Sequence, residues 1–283
     1  MVLALRRLIF YVMLALFVVF AVFPVIWMVI TVFKRNVDLY NPNNNPFIYN
    51  LPPTLGHLEF LFTSTSYPTF LWNSAFIGVI VVIITLLLSV PAAYSLSRLV
   101  GRWGERSGIA IFFVYLIPPT LLFIPLYQIV SLLKVANTVW SLILVYPTIT
   151  VPFCTWLLLG FFKSVPREFE EAALIDGCSR FSAFLRVALP LALPGIATCI
   201  VFAFALSLSD YIYAAVFVSS TASRTVSAGV PTSLIRGDIY YWQSLMAAAV
   251  IVTIPLAVAY GLLFDRLVKG FQSDPGAGEK SAA

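Results

Sequence analysis

The chain has 283 residues, of which 61% are hydrophobic and only 10% charged, against about 25% charged in soluble domains. That excludes a water-soluble fold and predicts an all-α integral membrane protein that crosses the bilayer several times, with lipid as its surroundings. The net charge of +5 comes from scattered cations with no basic aromatic face, which excludes nucleic-acid binding.

Runs free of Asp, Glu, Lys and Arg locate the spans. They are Leu8–Phe33, Phe60–Ser97, Ser107–Leu133, Val135–Phe162, Val187–Ser209 and Ile239–Phe264. Each exceeds the ~20 residues that cross ~30 Å of hydrocarbon, which predicts six transmembrane helices. The second run opens with the polar FTSTSYPT, so its membrane part is placed at Phe70–Leu96. Tyr211–Val218 is apolar but too short to span, and is expected to continue the fifth helix or to re-enter.

With the N-terminus in the cytoplasm, the inner segments hold Arg6, Arg7, Arg98, Arg102, Arg106, Lys163, Arg167, Arg180, Arg186, Arg266, Lys269 and Lys280. The outside keeps Lys34, Arg35, Lys134, Arg224 and Arg236. The excess predicts both termini inside a multi-pass cell-membrane protein. The first apolar run lacks a small-residue cleavage site and is expected to be retained as a helix rather than removed as a signal peptide.

Between the first two spans lies an Asn- and Pro-rich stretch, Lys34 to about Pro68, expected to form turns rather than regular structure. The second span ends at AAYSLSRL, and the basic segment GRWGER turns the chain back. Asn73 and Ser74 are placed at the start of the second helix, as N-caps. Pro118, Pro119, Pro125, Pro147, Pro152, Pro194 and Pro255 fall in later spans. Such prolines kink helices; they are either tolerated in a rigid bundle or used as bends around a pathway. Cys154, Cys178 and Cys199 share no metal-ligand spacing and are expected to be small apolar fillers. His57, the lone histidine, carries no assigned role.

The most polar segment is Ser164–Pro190, SVPREFEEAALIDGCSRFSAFLRVALP, which holds four of the twelve acidic residues. Pro166 suits the first turn of a helix. Glu168, Glu170 and Glu171 then meet the positive end of its dipole. Ala172, Ala173 and Leu174 favour helix, and Gly177 supplies a left-handed stop. Ser179 can cap a second short helix, whose apolar stripe is Phe181, Phe184, Leu185 and Ala188. Pro190 is expected to end it. Two short helices should meet near a right angle at Asp176–Gly177. Asp176 opposes its helix dipole, and Ala172 and Ala173 leave a flat surface beside the carboxylates. Both features suit an elbow that inserts into a groove on another protein, although a solvated loop has the same composition.

The stretch EAALIDGCSRFSAFLRVALP resembles the "EAA" loop of ABC-importer permeases. The matches are Glu171, Ala172, Ala173, Gly177, Leu189 and Pro190, with Val187 in place of the usual Ile. NSAFIGV from Asn73, AAYSLSRL from Ala92, IPLY from Ile124, SDYIYA from Ser209, TVSAGV from Thr225 and the segment from Met246 extend the resemblance over about residues 10–271, to the MalG-type permease subunits of carbohydrate importers (the CUT1 group). Leu208–Ser209 stand where many such proteins have Trp-Asn. The resemblance implies a type I ABC importer permease fold over residues 1–272, with a coupling loop at 164–190 and a cytoplasmic tail at 273–283. It implies a homologous MalF-type permease, an ABC ATPase dimer and an extracytoplasmic sugar-binding protein as partners. It makes Glu170, Glu171, Ala172, Ala173, Asp176, Gly177 and Arg180 the ATPase-coupling residues.

No GxxxxGK[ST] phosphate loop is present, so this chain is not expected to bind ATP in that way; the resemblance implies that ATP and Mg sit on the partner ATPase, and no cofactor, metal or catalytic residue is assigned here. Asp210, the only carboxylate within a span region, is a pathway candidate, together with Tyr211, Tyr213 and Asn73. The implied function is import of a di- or oligosaccharide such as maltose or trehalose. The alternatives are glycerol phosphate or another small polar solute, and an ion-coupled secondary transporter. An intramembrane protease lacks its reagents, since there is no HExxH and no pair of intramembrane aspartates.

Overall fold

The computed structural model describes residues 2–272, with the side chains of residues 2–4, 102, 105 and 263–272 left aside. The tail assigned to 273–283 lies outside the described residues. In chain order the helices are α1 Val2–Phe33, α2 Asn36–Leu39, α3 Gly56–Thr63, α4 Tyr67–Arg98, α5 Arg102–Tyr115, α6 Pro119–Leu132, α7 Val139–Val145 and α8 Pro147–Ser164. Then follow α9 Glu168–Ile175, α10 Arg180–Ala183, a π-helical turn Phe184–Ala188, α11 Leu189–Leu191, α12 Leu193–Ser209, α13 Ile212–Phe217 and α14 Val226–Leu234. The described residues close with the hairpin β1 Ile235–Arg236 and β2 Ile239–Tyr240 and the long α15 Trp242–Gln272.

Four stretches cross on length and hydropathy without a sharp break: Leu5–Phe33, Tyr67–Arg98, Val139–Ser164 and Trp242–Leu262. Two more are bent pairs, 86° between Arg106–Tyr115 and Pro119–Leu132 and 72° between Arg180–Leu191 and Leu193–Ser209. Among the described residues, counting each pair as one gives up to six spans, the number expected; the second pair starts at Arg180, inside the loop 164–190 and ahead of the expected start at Val187. Both bends occur at prolines, where the ring removes an N–H and clashes with the preceding turn. Pro24, Pro91, Pro125, Pro152 and Pro255 sit inside continuous helices.

The chain forms two compact units. One comprises the residues up to Pro68 with Gly229–Ile254. Its Asn-rich stretch is more ordered than its composition predicts. Lys34, 1% exposed, pairs with Asp38 at 3.7 Å and donates to the Asn45 carbonyl at 3.1 Å. Asn44 and Asn50 donate to Asp38 Oδ1 at 2.8 and 2.9 Å. The asparagines thus satisfy a buried ion pair, which would otherwise be costly to desolvate. The stretch also contains α3, so the expectation of turns alone is corrected. Phe60 of α3 stacks on Tyr241 at 5.2 Å, and Tyr67 donates to the Ala248 carbonyl.

The other unit comprises Thr69–Ala228 and the chain from Pro255. There α8 packs against both α5 and α12. The approach is close because the crossings use glycine: a Cβ on Gly195 of α12 would meet the Phe161 ring of α8, and one on Gly108 of α5 the Leu159 side chain of α8. Small residues at crossings are how membrane helices gain contact without a hydrophobic driving force between them. One apolar core gathers Ile77, Val81, Leu142, Tyr146, Tyr213 and Phe217. A second gathers Val90, Ala93, Leu158, Phe162, Ala188 and Cys199. Cys154 and Cys199 are buried fillers facing each other's carbonyls; Cys178 is half-buried, and all three are free thiols.

Several local expectations are corrected. Asn73 and Ser74 lie inside α4, which starts at Tyr67, so neither is an N-cap. GRWGER is not a loop: only Gly101, at φ +61°, turns the chain, and α5 begins at Arg102. Tyr211–Val218 does not continue the fifth helix, because Asp210 in extended backbone ends α12 and α13 starts afresh.

Candidate functional site

The polar elbow is built by its own sequence. α9 begins at Glu168, so Pro166 lies just outside the helix rather than in its first turn. Its carboxylates, Glu168, Glu170 and Glu171, fall in the first turn, where the dipole favours them. At the other end, Gly177 has φ +87°. Its N–H bonds the Leu174 carbonyl at 3.1 Å, and that of Cys178 bonds the Ala173 carbonyl at 3.0 Å. This paired closure requires a left-handed residue, which glycine adopts without a Cβ clash. Ser179 then accepts from the Ser182 N–H at 3.2 Å, capping α10 as its position predicts.

Pro190 does not end the second helix, which runs on to Leu191. Lacking an N–H, Pro190 cannot bond the Arg186 carbonyl. The chain adapts with a π-turn in which Leu189 N–H reaches the Phe184 carbonyl.

The expected coupling residues split into two groups. Glu171, Ala172, Asp176, Gly177 and Arg180 are exposed and Ala173 is half-covered. Around them stand exposed apolar side chains: Phe169, Ile175 at 87% and Phe181 at 69% exposure. Glu170, by contrast, is 7% exposed. Its Oε1 lies 2.6 Å from Arg98 Nε, and its Oε2 accepts from the Tyr94 hydroxyl at 2.8 Å. Arg98 also donates to the Val165 carbonyl at 2.7 Å, and Arg167 to that of Ser97 at 3.2 Å. Tyr94, Arg98 and Arg167 were missed as site residues; the two arginines read only as topological charge. The available signal was spacing, since Tyr94 and Arg98 are four apart and share a helix face.

The pathway candidates gather around the α12–α13 break. The Asp210 carboxylate accepts from the Tyr146 hydroxyl at 3.1 Å and from Ala214 N–H at 3.2 Å. Its carbonyl accepts from Ser227 Oγ at 2.6 Å. Tyr213 is buried and donates to the Pro119 carbonyl at 2.8 Å, at the other proline bend. Asn73, also buried, donates to the carbonyls of Ala222 and Arg224 at 2.8 and 3.0 Å. Tyr211 is exposed.

The family described as "binding-protein-dependent transport system inner membrane component" matches residues 86–273. The chain belongs to this family. The permease is 33% identical over 249 residues to the sulfoquinovosyl glycerol transport system permease protein SmoH of Agrobacterium fabrum, covering 88% of this chain and 86% of that one. It is 30% identical to the inner membrane ABC transporter permease protein YcjP of Escherichia coli, covering 94% of each. It is 29% identical to the trehalose/maltose transport system permease protein MalG of Thermococcus litoralis, over 93% and 94%. Its fold is that of a chain in a bacterial ABC transporter that imports the acidic polysaccharide alginate: TM-score 0.78, 19% identity, 93% of this chain and 96% of that one covered. The permease therefore has the type I importer fold read from its EAA loop. The family match takes in the elbow, Tyr94, Arg98 and Asp210, and begins after Asn73.

Proposed function

We propose that this permease forms half of the translocation path of an ATP-driven carbohydrate importer, with both termini in the cytoplasm. A homologous MalF-type permease supplies the other half. A separate ABC ATPase dimer binds ATP and Mg and performs the hydrolysis, and an extracytoplasmic binding protein delivers the sugar. The observation that carries this reading is the elbow, a pair of short helices hinged at Gly177. It leaves Phe169, Ile175 and Phe181 exposed beside Glu171 and Asp176. An exposed apolar knuckle with a carboxylate rim fits a cleft on another protein, because burial of its side chains supplies affinity. The isolated rim charges contribute only about 0–1 kcal/mol each, so shape dominates.

Carbohydrate is the favoured cargo because permeases for sulfoquinovosyl glycerol, trehalose/maltose and diacetylchitobiose are among the relatives. Asp210 and Tyr211 are the candidates to face the cargo. Tyr213 and Asn73 hold the wall behind them through backbone carbonyls.

The test is co-expression of the full set of subunits. The ATPase should copurify with the wild-type chain and be lost on Gly177→Pro, which breaks the shape of the elbow, while membrane insertion survives. Reconstituted ATP hydrolysis should then rise with binding protein and one of a panel of maltose, trehalose and chitobiose derivatives. Retention of the ATPase by Gly177→Pro, or uptake that follows an ion gradient and ignores ATP depletion, would refute the reading.

A further inference from the structure

We propose that Glu170, with Arg98 and Tyr94, is the link by which the elbow moves α4, making Glu170 a positioning residue and not a docking one. The proposal rests on the reading of the elbow as the ATPase-docking element. Adjacent residues on a helix point about 100° apart, so Glu170 and Glu171 cannot serve the same surface. Glu171 is exposed, whereas Glu170 is buried against α4.

Four bonds lace the elbow to the last turn of α4. Glu170 takes two, from Arg98 and Tyr94; Arg98 gives another to the Val165 carbonyl; and Arg167 reaches back to that of Ser97. The second helix of the elbow closes on the same turn, with the Phe184 ring 4.5 Å from that of Tyr94. Phe162, at the end of α8, meets Tyr94 at 5.7 Å. A displacement of either elbow helix is therefore delivered to one point on α4.

α4 continues from there as a single helix to Tyr67. Some 25 residues away, or about 38 Å at helical rise, Asn73 grips the carbonyls of Ala222 and Arg224, and Ser74 Oγ accepts from Val226 N–H at 2.8 Å. The next residue, Ser227, holds the Asp210 carbonyl at the α12–α13 break. The geometry is that of a lever: the elbow grips one end, and the segment closing the break hangs on the other.

The experiment uses the complete transporter in lipid nanodiscs, with Cys178→Ser and Trp72→Cys introduced. Trp72 is exposed near the far end of α4, and Cys154 and Cys199 are buried. The readouts are ATPase copurification and the rate of maleimide labelling at position 72 with and without Mg-ATP and vanadate. Wild type should hold the ATPase and change its labelling rate on nucleotide trapping. Glu170→Gln should also hold the ATPase, but its nucleotide-dependent change should shrink about 5-fold or more, the lower edge of ordinary coupling between linked sites. Exchanging the charges (Glu170→Arg with Arg98→Glu) should restore most of the change, a rescue that generic destabilisation does not give.

An undiminished change in Glu170→Gln overturns the lever, as does loss of the ATPase from that variant, which would make Glu170 a docking residue. A wild-type complex with no change at position 72 also overturns it. Should Glu170→Gln fail to insert, Tyr94→Phe, which removes one hydroxyl, decides by the same labelling ratio. A wild-type chain that retains no ATPase refutes the docking reading itself, a failure distinct from all of these.

Discussion

The elbow and the α12–α13 break are both places where a helix stops and a carboxylate marks the stop, yet they use their carboxylates in opposite ways. At the break, Asp210 is occupied inside the protein, accepting from Tyr146 and Ala214. At the elbow, Glu168, Glu171 and Asp176 are exposed, and only Glu170 turns inward. Inward carboxylates hold segments of this chain together. Outward ones, set among Phe169, Ile175 and Phe181, are available to another chain.

The strongest way to break this comparison is to strand an inward carboxylate. Arg98→Ala leaves Glu170 buried beside Tyr94 without its counter-charge, which should cost about 3–5 kcal/mol. Thermal unfolding of the solubilised chain should show a large drop in Tm, while Glu171→Ala shows almost none. Equal drops would erase the distinction between the two glutamates. Next comes the hinge. Gly177→Pro locks φ near −65° against the observed +87° and removes the N–H bonded to Leu174. A cost near 3 kcal/mol, the scale of a misplaced proline, should fall on the elbow alone. ATPase copurification should be lost, while the amount of inserted chain stays close to wild type.

A smaller effect sharpens the other half of the comparison. Tyr146→Phe deletes the donor to Asp210 and should destabilise by about 1 kcal/mol, the low end of the penalty for a lost partner, since Asp210 is half-buried and keeps the Ala214 N–H. ATPase binding should be untouched, and Asp210→Asn in the same background should recover part of the loss. The smallest effect lies away from both regions. Burial holds the His57 imidazole below the ordinary histidine value, with its bond to the Lys34 carbonyl acting in the other direction. Its neutral form is therefore the one the fold prefers. That contribution is complete above the unfolded value of about 6.5 and is lost as pH falls through the lower folded value. Tm should ease downward between pH 7.5 and 5.5, and His57→Gln should flatten that slope.

Much of this was legible in the chain itself, for physical reasons that differ by feature. The spans declare themselves because lipid tolerates few charges. The hinge at Gly177 and the cap at Ser179 are local events, decided within four residues, so their spacing suffices. What stayed hidden is what joins distant segments. EFEE shows a run of similar carboxylates, and nothing local says that Glu170 meets Arg98, 72 positions away. Lys34 counted only as one of the outside cations, and nothing local shows that it pairs with Asp38 inside a shell of Asn44, Asn45 and Asn50. Asn73 read as a cap because polar residues favour helix starts; its partners, Ala222 and Arg224, lie about 150 positions on.

The central claim is that the elbow lies on the ATPase side of the membrane and fits into that partner. Ile175, the most exposed apolar residue of the elbow at 87%, offers the most direct test. In a Cys178→Ser background, Ile175→Cys should crosslink to the ATPase in intact cells and stay unlabelled by a membrane-impermeant maleimide added outside. Labelling from outside, or no crosslink in a complex that otherwise copurifies, would contradict the account.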